Sequence, residues 1–76
     1  MKLRPLKCEK VIKVLKKLGF EEVRQKGSHL FLKHPDGRAT VVPIHKNEDI
    51  GRGLLGLIIK DAKLSKNDFM KMVKEA

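Results

Sequence analysis

The fold is decided by the stretch SHLFLKHPDGRATVVPI, residues 28–44. Two short strand candidates flank Pro35-Asp36-Gly37, where proline presets φ, aspartate bonds its local backbone and glycine accepts a positive φ. This pattern predicts a β-hairpin with strands over residues 28–34 and 38–44. A preceding strand over residues 20–26, connected through Gly27, extends the hairpin to an antiparallel meander.

Apolar residues at helical spacing predict helices on both sides of this meander. The first helix starts near Pro5 and stops at Gly19. Its apolar positions have the period of one helix face: Cys8, Val11, Ile12, Leu15 and Leu18. After a linker over residues 45–49, the apolar run 54–59 predicts a second buried helix, and residues 65–68 resemble the capping box of a short third one. We therefore expect one α+β domain over residues 1–76, of order α-β-β-β-α-α, with a three-stranded antiparallel sheet and its helices on one face.

Alternation in the central strand assigns its side chains to two faces of the predicted sheet. Leu30 and Leu32 point toward the core, where Val23 and Val42 of the neighbouring strands can join them. The opposite face carries the candidate functional side chains: His29, Phe31 and Lys33, with Arg24 and Lys26 beside them if the register permits.

The chain is strongly basic, with a formal net charge of +9 from 18 Lys and Arg and 9 Asp and Glu. Residues 1–26 hold nine Lys or Arg against three Glu, and the first helix carries a lysine stripe opposite its apolar side: Lys10, Lys13, Lys16 and Lys17. The charge suits a polyanionic partner, whether nucleic acid, an acidic protein or an anionic membrane. The stripe alone is more typical of an ordinary solvated face. No apolar run approaches the roughly 20 residues of a spanning helix, so a membrane partner is disfavoured.

Cysteine and histidine usage argues against disulfides and structural metals. Cys8 is the only cysteine, and the three histidines are scattered without zinc-type spacing. A GxGxxG pattern at Gly51, Gly53 and Gly56 lacks the βαβ unit that a dinucleotide site requires in a chain of this length. We expect a reduced, cytoplasmic protein with no metal or other cofactor, in which Cys8 fills a small apolar space.

His29 is the candidate catalytic residue. Histidine has an unperturbed pKa of about 6.5 and exchanges protons near neutral pH. Cations that can hold phosphates surround it in the sequence, which suits a general base or acid. A lone strand histidine is nevertheless more often a packing or surface residue. Phe31, on the same face, either stacks an unpaired base or covers an edge of the core.

Five segments of the chain carry a resemblance to a known family. They are Gly19-Phe20, the block VRQKGSH over residues 23–29, HPDGR over residues 34–38, Val42-Pro43, and residues 50–62 in the place of a second helix. In these segments the chain resembles the HicA toxins, the small ribonuclease half of HicA/HicB toxin/antitoxin systems. The resemblance implies a fold similar to a double-stranded RNA-binding domain, cleavage of mRNA, and a HicB-like antitoxin that blocks the site. It implies catalysis by His29 alone, and we expect RNA contacts from Arg24, Lys26, Ser28, Phe31 and Lys33.

The predicted chemistry is attack by a ribose hydroxyl on the neighbouring phosphate. Neutral His29 takes the proton of a ribose 2′-OH as that oxygen attacks the adjacent phosphorus, while a neighbouring cation stabilises the growing negative charge, and no metal is required. His34 and His45 are weaker candidates for a second proton carrier. Two other functions stay open, namely an RNA-binding module without catalysis and a basic protein whose main ligand is an acidic protein.

Overall fold

A computed structural model describes residues 3–45 and 48–75. Its three helices are α1 (Cys8–Leu18), α2 (Arg52–Asp61) and α3 (Lys66–Glu75). Its strands are β1 (Leu6–Lys7), β2 (Glu21–Lys26), β3 (His29–Lys33), β4 (Ala39–Pro43) and β5 (Asp49–Ile50). The predicted α+β class with a three-stranded antiparallel sheet is confirmed. Lys46 and Asn47 of the predicted linker lie outside the described residues.

The main sheet is an antiparallel meander in the order β2-β3-β4. Gly27 has a φ of 59°, and Ser28 after it has a negative φ, which is the pattern of a tight type II′ hairpin turn between β2 and β3. The β3–β4 turn closes through the backbone N–H of Gly37, which donates to the carbonyl oxygen of His34 at 2.9 Å. Gly37 has a φ of 101°, as the Pro-Asp-Gly pattern predicts.

The hydrophobic core lies between one face of this sheet and the helices. The sheet contributes Leu30, Leu32 and Val42, all buried, and Cys8 is buried as predicted. The helices bury Val11, Val14 and Leu15 of α1, Leu55, Ile58 and Ile59 of α2, and Phe69, Met70 and Val73 of α3. Burial of one such side chain is worth about 1.5–3 kcal/mol relative to exposure, so this face holds most of the stability. The other face is left open.

The prediction that Val23 joins the core was wrong. Glu22 pairs with Leu32 and Arg24 pairs with Phe31, so Val23 is the extra residue of a β-bulge. Two residues of a bulged strand oppose one residue of the partner, and the alternation of faces is interrupted there. Val23 is 60% exposed as a result. Arg24 lies on the turn side of the bulge, so the regular register from the hairpin turn places it on the open face, opposite Phe31.

The chain before α1 and the end of the predicted linker form a second, two-stranded pairing. Pro5 does not begin α1, because Leu6 pairs with Ile50 and Lys7 with Asp49 in antiparallel β1 and β5. Leu6 and Ile50 are buried, and the Lys7 ammonium lies 3.7 Å from the Asp49 carboxylate. This pairing, the β1–β5 clasp, joins the residues that directly precede α1 to those that directly precede α2.

Candidate functional site

The open face of the sheet is organised in cross-strand rows that follow from the register. Lys26 lies opposite His29, and His29 lies opposite Pro43. The next row is Arg24, Phe31 and Val41, and the row after it contains Glu21, Lys33 and Ala39. The basic and aromatic side chains expected at the site, those of Arg24, Lys26, His29, Phe31 and Lys33, therefore all belong to this one face.

His29 is exposed at the start of β3. Within residues 3–45 and 48–75 no hydrogen-bond partner engages its ring. Directly opposed residues in an antiparallel pair have Cβ atoms about 4.5–5.5 Å apart, so the flexible Lys26 side chain shares the immediate surroundings of the ring. The His29 ring is therefore accessible to a hydroxyl group of a ligand, and a phosphate group next to the ring would lie close to the Lys26 ammonium.

Arg24 and Phe31 form the central contact of the open face. The Arg24 guanidinium lies 4.9 Å from the centroid of the Phe31 ring, and Phe31 is half-buried. A cation–π contact at an exposed site is worth about 0.5–1 kcal/mol, enough to hold an otherwise mobile arginine over the sheet. Phe31 therefore positions Arg24, and a base that stacks here meets the guanidinium plane first.

Lys33 and Ser28 mark the two ends of β3. Lys33 lies four residues beyond His29, roughly 13 Å along the strand, so the two side chains occupy separate parts of the open face. Ser28 is the turn residue next to His29 and is half-buried. Its carbonyl oxygen accepts a hydrogen bond from the backbone N–H of Ile44 at 2.6 Å, which ties the turn to the residue after β4.

A groove of about 600 Å³ runs between the open face and the exposed side of α2. β4 is an edge strand, and α2 lies along it, joined by a hydrogen bond that the Thr40 hydroxyl donates to the Asp61 carboxylate at 3.1 Å. The groove is lined by His29, Phe31, Val41 and Pro43 from the sheet and by Leu54, Leu57 and Asp61 from α2. Its size falls within the roughly 300–1,000 Å³ of ordinary ligand sites.

Sequence reasoning missed the α2 wall of this groove. Leu54 and Leu57 were expected to be buried with the rest of their helix, but they are 40% and 53% exposed. One signal was present: α2 is apolar on more sides than a helix needs when it buries a single stripe. Only the packing of α2 against β4 shows which leucines stay outside.

His34 is held in a structural corner and does not face the groove. Its Nε2 lies 3.0 Å from the carbonyl oxygen of Leu18, and because a carbonyl only accepts, Nε2 carries the proton. Nδ1 then accepts a hydrogen bond from the backbone N–H of Asp36 at 3.1 Å. The ring also packs edge-on against Phe20, with centroids 5.3 Å apart. These contacts pin the end of α1 to the β3–β4 turn and leave His34 without a free ring nitrogen.

Asp36 and Arg38 complete this corner. The Asp36 carboxylate accepts a hydrogen bond from the backbone N–H of Arg38 at 3.0 Å and one from its Nε at 2.8 Å. The backbone bond is the main reason that the pKa of Asp36 lies below its ordinary value. The Arg38 guanidinium also donates to the carbonyl oxygen of Ala62 at 2.6 Å and lies over the Phe20 ring. His45, the third histidine, is exposed beyond β4 and lines a smaller pocket next to Leu54.

The lysine stripe of α1 lies on the side of that helix opposite its buried residues. Lys13, Lys16 and Lys17 are exposed on the side of α1 that faces away from the core. Lys16 forms an ion pair with Glu22, and the Lys17 ammonium lies 3.5 Å from the carbonyl oxygen of Glu75. Part of the stripe is thus engaged within the fold, and none of these lysines lines the groove.

In the described ranges no group of three or more histidine, cysteine or acidic side chains could hold a metal ion. The helices of the described residues include none with the length and apolar character needed to cross a bilayer.

Comparison with protein families gives one match. Residues 8–64 match the model of the family described as HicA toxin of bacterial toxin-antitoxin. The match begins with α1, includes the whole meander and the groove, and ends after α2. The chain belongs to the HicA toxin family. A search of curated proteins found no match. Membership makes this HicA chain a toxin of a toxin–antitoxin system and implies an antitoxin as its partner. His29 and the open face lie inside the matched range.

Proposed function

We propose that this HicA toxin is a metal-independent endoribonuclease that cleaves mRNA in the cytoplasm, with His29 as its catalytic residue. The observation that carries the proposal is the placement of His29, exposed on a sheet face, directly opposite Lys26 and one row from Arg24. General base and phosphate-binding cations therefore share one surface that a single RNA strand can reach.

The reaction requires one proton acceptor and one cation at the phosphate. Neutral His29 accepts the proton of a ribose 2′-OH, and the 2′ oxygen forms a bond to the adjacent phosphorus. The bond from phosphorus to the 5′ oxygen of the next nucleotide breaks, and that oxygen takes a proton from water. The products are a 2′,3′-cyclic phosphate and a 5′-hydroxyl.

Lys26 is the cation best placed for the reacting phosphate, because it lies directly across from His29. Arg24 lies one row away over Phe31, and Lys33 is roughly 13 Å along the strand, so these two hold neighbouring phosphates. A positioned general base contributes typically about 10²- to 10⁴-fold. With a single histidine and no second acid, we expect a slow enzyme.

The test uses a single-stranded RNA and a matched strand with one 2′-deoxy nucleotide at the cleavage site. Wild-type protein should cleave the RNA in excess chelator, leave 5′-hydroxyl ends, and bind the deoxy strand without cutting it. His29→Ala should bind the RNA and fail to cleave it, whereas His45→Ala, the matched control for an exposed histidine, should cleave normally.

Three results would contradict the proposal. Cleavage that stops with chelator and returns with Mg²⁺ would indicate metal chemistry. Cleavage of the deoxy strand would exclude attack by the 2′ oxygen. RNA binding without cleavage by the wild type, unchanged in His29→Ala, would establish a binding module instead.

The proposed partner is a HicB-like antitoxin that covers the open face. The face is cationic, so an acidic surface is the expected complement. The purified product of a reading frame adjacent to the toxin gene should stop cleavage when mixed with the toxin in stoichiometric amount. Continued cleavage in a saturated complex would show that the antitoxin binds elsewhere.

A further inference from the structure

Exposed apolar side chains converge on one place in this molecule. Three large apolar residues are exposed among the described residues, namely Val23, Leu54 and Leu57. All three line the groove beside His29, although Val23 comes from the bulge of β2 and the leucines come from α2. Contiguous apolar surface on a small protein marks an interaction site far more often than isolated exposed residues do.

The charges around the groove limit what can occupy it. Arg24 and Lys33 line its sheet side, and Lys26 lies beside His29, so the rim on that side is cationic. Asp61 is the acidic residue of the lining and lies on the α2 side. A second copy of the chain would bring like charges together. A strand of RNA suits the cationic rim, but its phosphates would be repelled by Asp61 on the helix side.

The lining also disfavours a nucleobase in the groove. Bases are held by stacking on aromatic or guanidinium planes. The stacking surface of the lining is the Arg24 guanidinium over the Phe31 ring, and it lies on the sheet side, at the cationic rim. Most of the remaining lining is aliphatic, with Val41 and Pro43 from the sheet and Leu54 and Leu57 from α2. Such walls fit aliphatic side chains of a protein.

We infer that the groove is the anchor site of the antitoxin, which inserts apolar side chains between α2 and the open face and places carboxylates on the cationic rim. This inference rests on the proposed function for the identity of the partner. RNA and antitoxin then share the rim cations, whereas Leu54 and Leu57 serve the antitoxin alone. Cleavage and neutralisation are therefore separable by mutation.

The test is a double substitution, Leu54→Ala with Leu57→Ala, and its probe is the purified antitoxin encoded beside the toxin gene. Calorimetry in the absence of RNA should show affinity weakened by at least about 30-fold, the effect expected when two anchor residues are truncated. RNA cleavage by the free variant should match that of the wild type. A larger amount of antitoxin should then be needed to stop it.

The control is Met72→Ala, which truncates a half-buried apolar side chain on α3, outside the groove. Its antitoxin affinity should be unchanged, and thermal melts of both variants should confirm folding.

Wild-type affinity in the double variant would overturn the inference. So would loss of RNA binding in the double variant, which would assign the groove to RNA, or conversion of a wild-type dimer to a monomer, which would assign it to a second copy. No binding by the wild type to either neighbouring gene product would also overturn it.

These outcomes are distinguishable from failure of the proposed function, because affinity and cleavage are measured separately. A toxin that never cuts RNA but loses the antitoxin on truncation of both leucines would refute the nuclease and keep the anchor site. A toxin that cuts RNA and keeps the antitoxin would refute the anchor site alone.

Discussion

Two histidines at the ends of the same strand have opposite surroundings. His29, at the start of β3, is exposed on the open face and has no hydrogen-bond partner for its ring among the described residues. His34, just past the end of β3, has a side chain that is only 19% exposed and both ring nitrogens engaged. His29 thus lies on an accessible surface, whereas His34 joins α1 to the β3–β4 hairpin.

The two surroundings reflect a separation between the side of the sheet that stabilises the fold and the side that is open to ligands. Stability is concentrated on the helix side, where His34, Phe20 and Arg38 fasten α1 and α2 to the β3–β4 turn. The open face makes few internal contacts, so its side chains are available to ligands. Mutations can therefore test the two regions independently.

The largest expected effect is on catalysis. His29→Ala should lower the rate of RNA cleavage by about 10²- to 10⁴-fold, because the proton acceptor is lost. Its melting temperature should equal that of the wild type, since the ring makes no internal hydrogen bond among the described residues. Single-turnover cleavage and a thermal melt measure the two quantities. A His29→Ala protein that melts early and cuts normally would reverse the roles assigned to the two histidines.

The next largest effect is on the His34 corner. Gly19 has a φ of 108°, and a Cβ built on it would lie 2.8 Å from Nε2 of His34. Gly19→Ala should lower the free energy of unfolding by about 1–3 kcal/mol from backbone strain alone, with a further cost from the clash. Urea unfolding measures the change, and cleavage per folded molecule should be unaffected.

A double-mutant cycle separates the two costs. In a His34→Ala background the clash disappears and the strain persists, so Gly19→Ala should cost less there than in the wild type. Equal costs in both backgrounds would show that the ring does not restrict this position.

A smaller effect of opposite sign is expected at a glycine outside the corner. Gly53 lies in the first turn of α2, lacks a positive φ, and would meet no atom within 4 Å if it carried a Cβ. Gly53→Ala should therefore raise the free energy of unfolding by about 0.4–1 kcal/mol, because the unfolded chain loses freedom. A decrease in the free energy of unfolding, measured by the same urea titration, would mean that the start of α2 requires glycine for a reason that its contacts do not explain.

The smallest effect concerns acid stability. The pKa of Asp36 is lowered in the fold, mainly by the hydrogen bond from the backbone N–H of Arg38. The ionised carboxylate therefore stabilises the fold at pH values above the ordinary pKa of a carboxyl group. That contribution should disappear as the pH falls through the folded pKa. The Asp36→Asn variant should be less stable than the wild type at a pH of about 6. The difference in their free energies of unfolding should shrink as the pH is lowered to about 3. A deficit that is constant with pH would exclude this linkage.

Much of the architecture follows from local sequence. The Pro-Asp-Gly turn, the alternation in β3 and the spacing of apolar residues in α1 each depend on neighbours a few positions away, and each was predicted. His29, Phe31 and Lys33 share a face for the same reason. The capping of α3 was visible as well, since the Ser65 hydroxyl accepts a hydrogen bond from the backbone N–H of Asp68 at 3.0 Å.

The features that escaped prediction depend on distant partners. The bulge at Val23 interrupts an alternation that looks regular in sequence, and only the register against β3 exposes it. The role of His34 depends on Leu18, 16 residues earlier in the chain. The groove depends on which side of α2 packs along β4, so Leu54 and Leu57 could not be separated from their buried neighbours.

The β1–β5 clasp has a consequence for how the groove keeps its shape. Leu6 pairs with Ile50, and α2 begins two residues after Ile50, with Leu54 in its first turn. The segment before α1 thus helps to fix the position of the start of α2, more than forty residues later in the chain, and with it the position of Leu54 in the groove. A fused tag or a tethered protein that pulls on the segment before α1 is therefore expected to displace the start of α2, which forms part of the groove where the antitoxin is expected to bind.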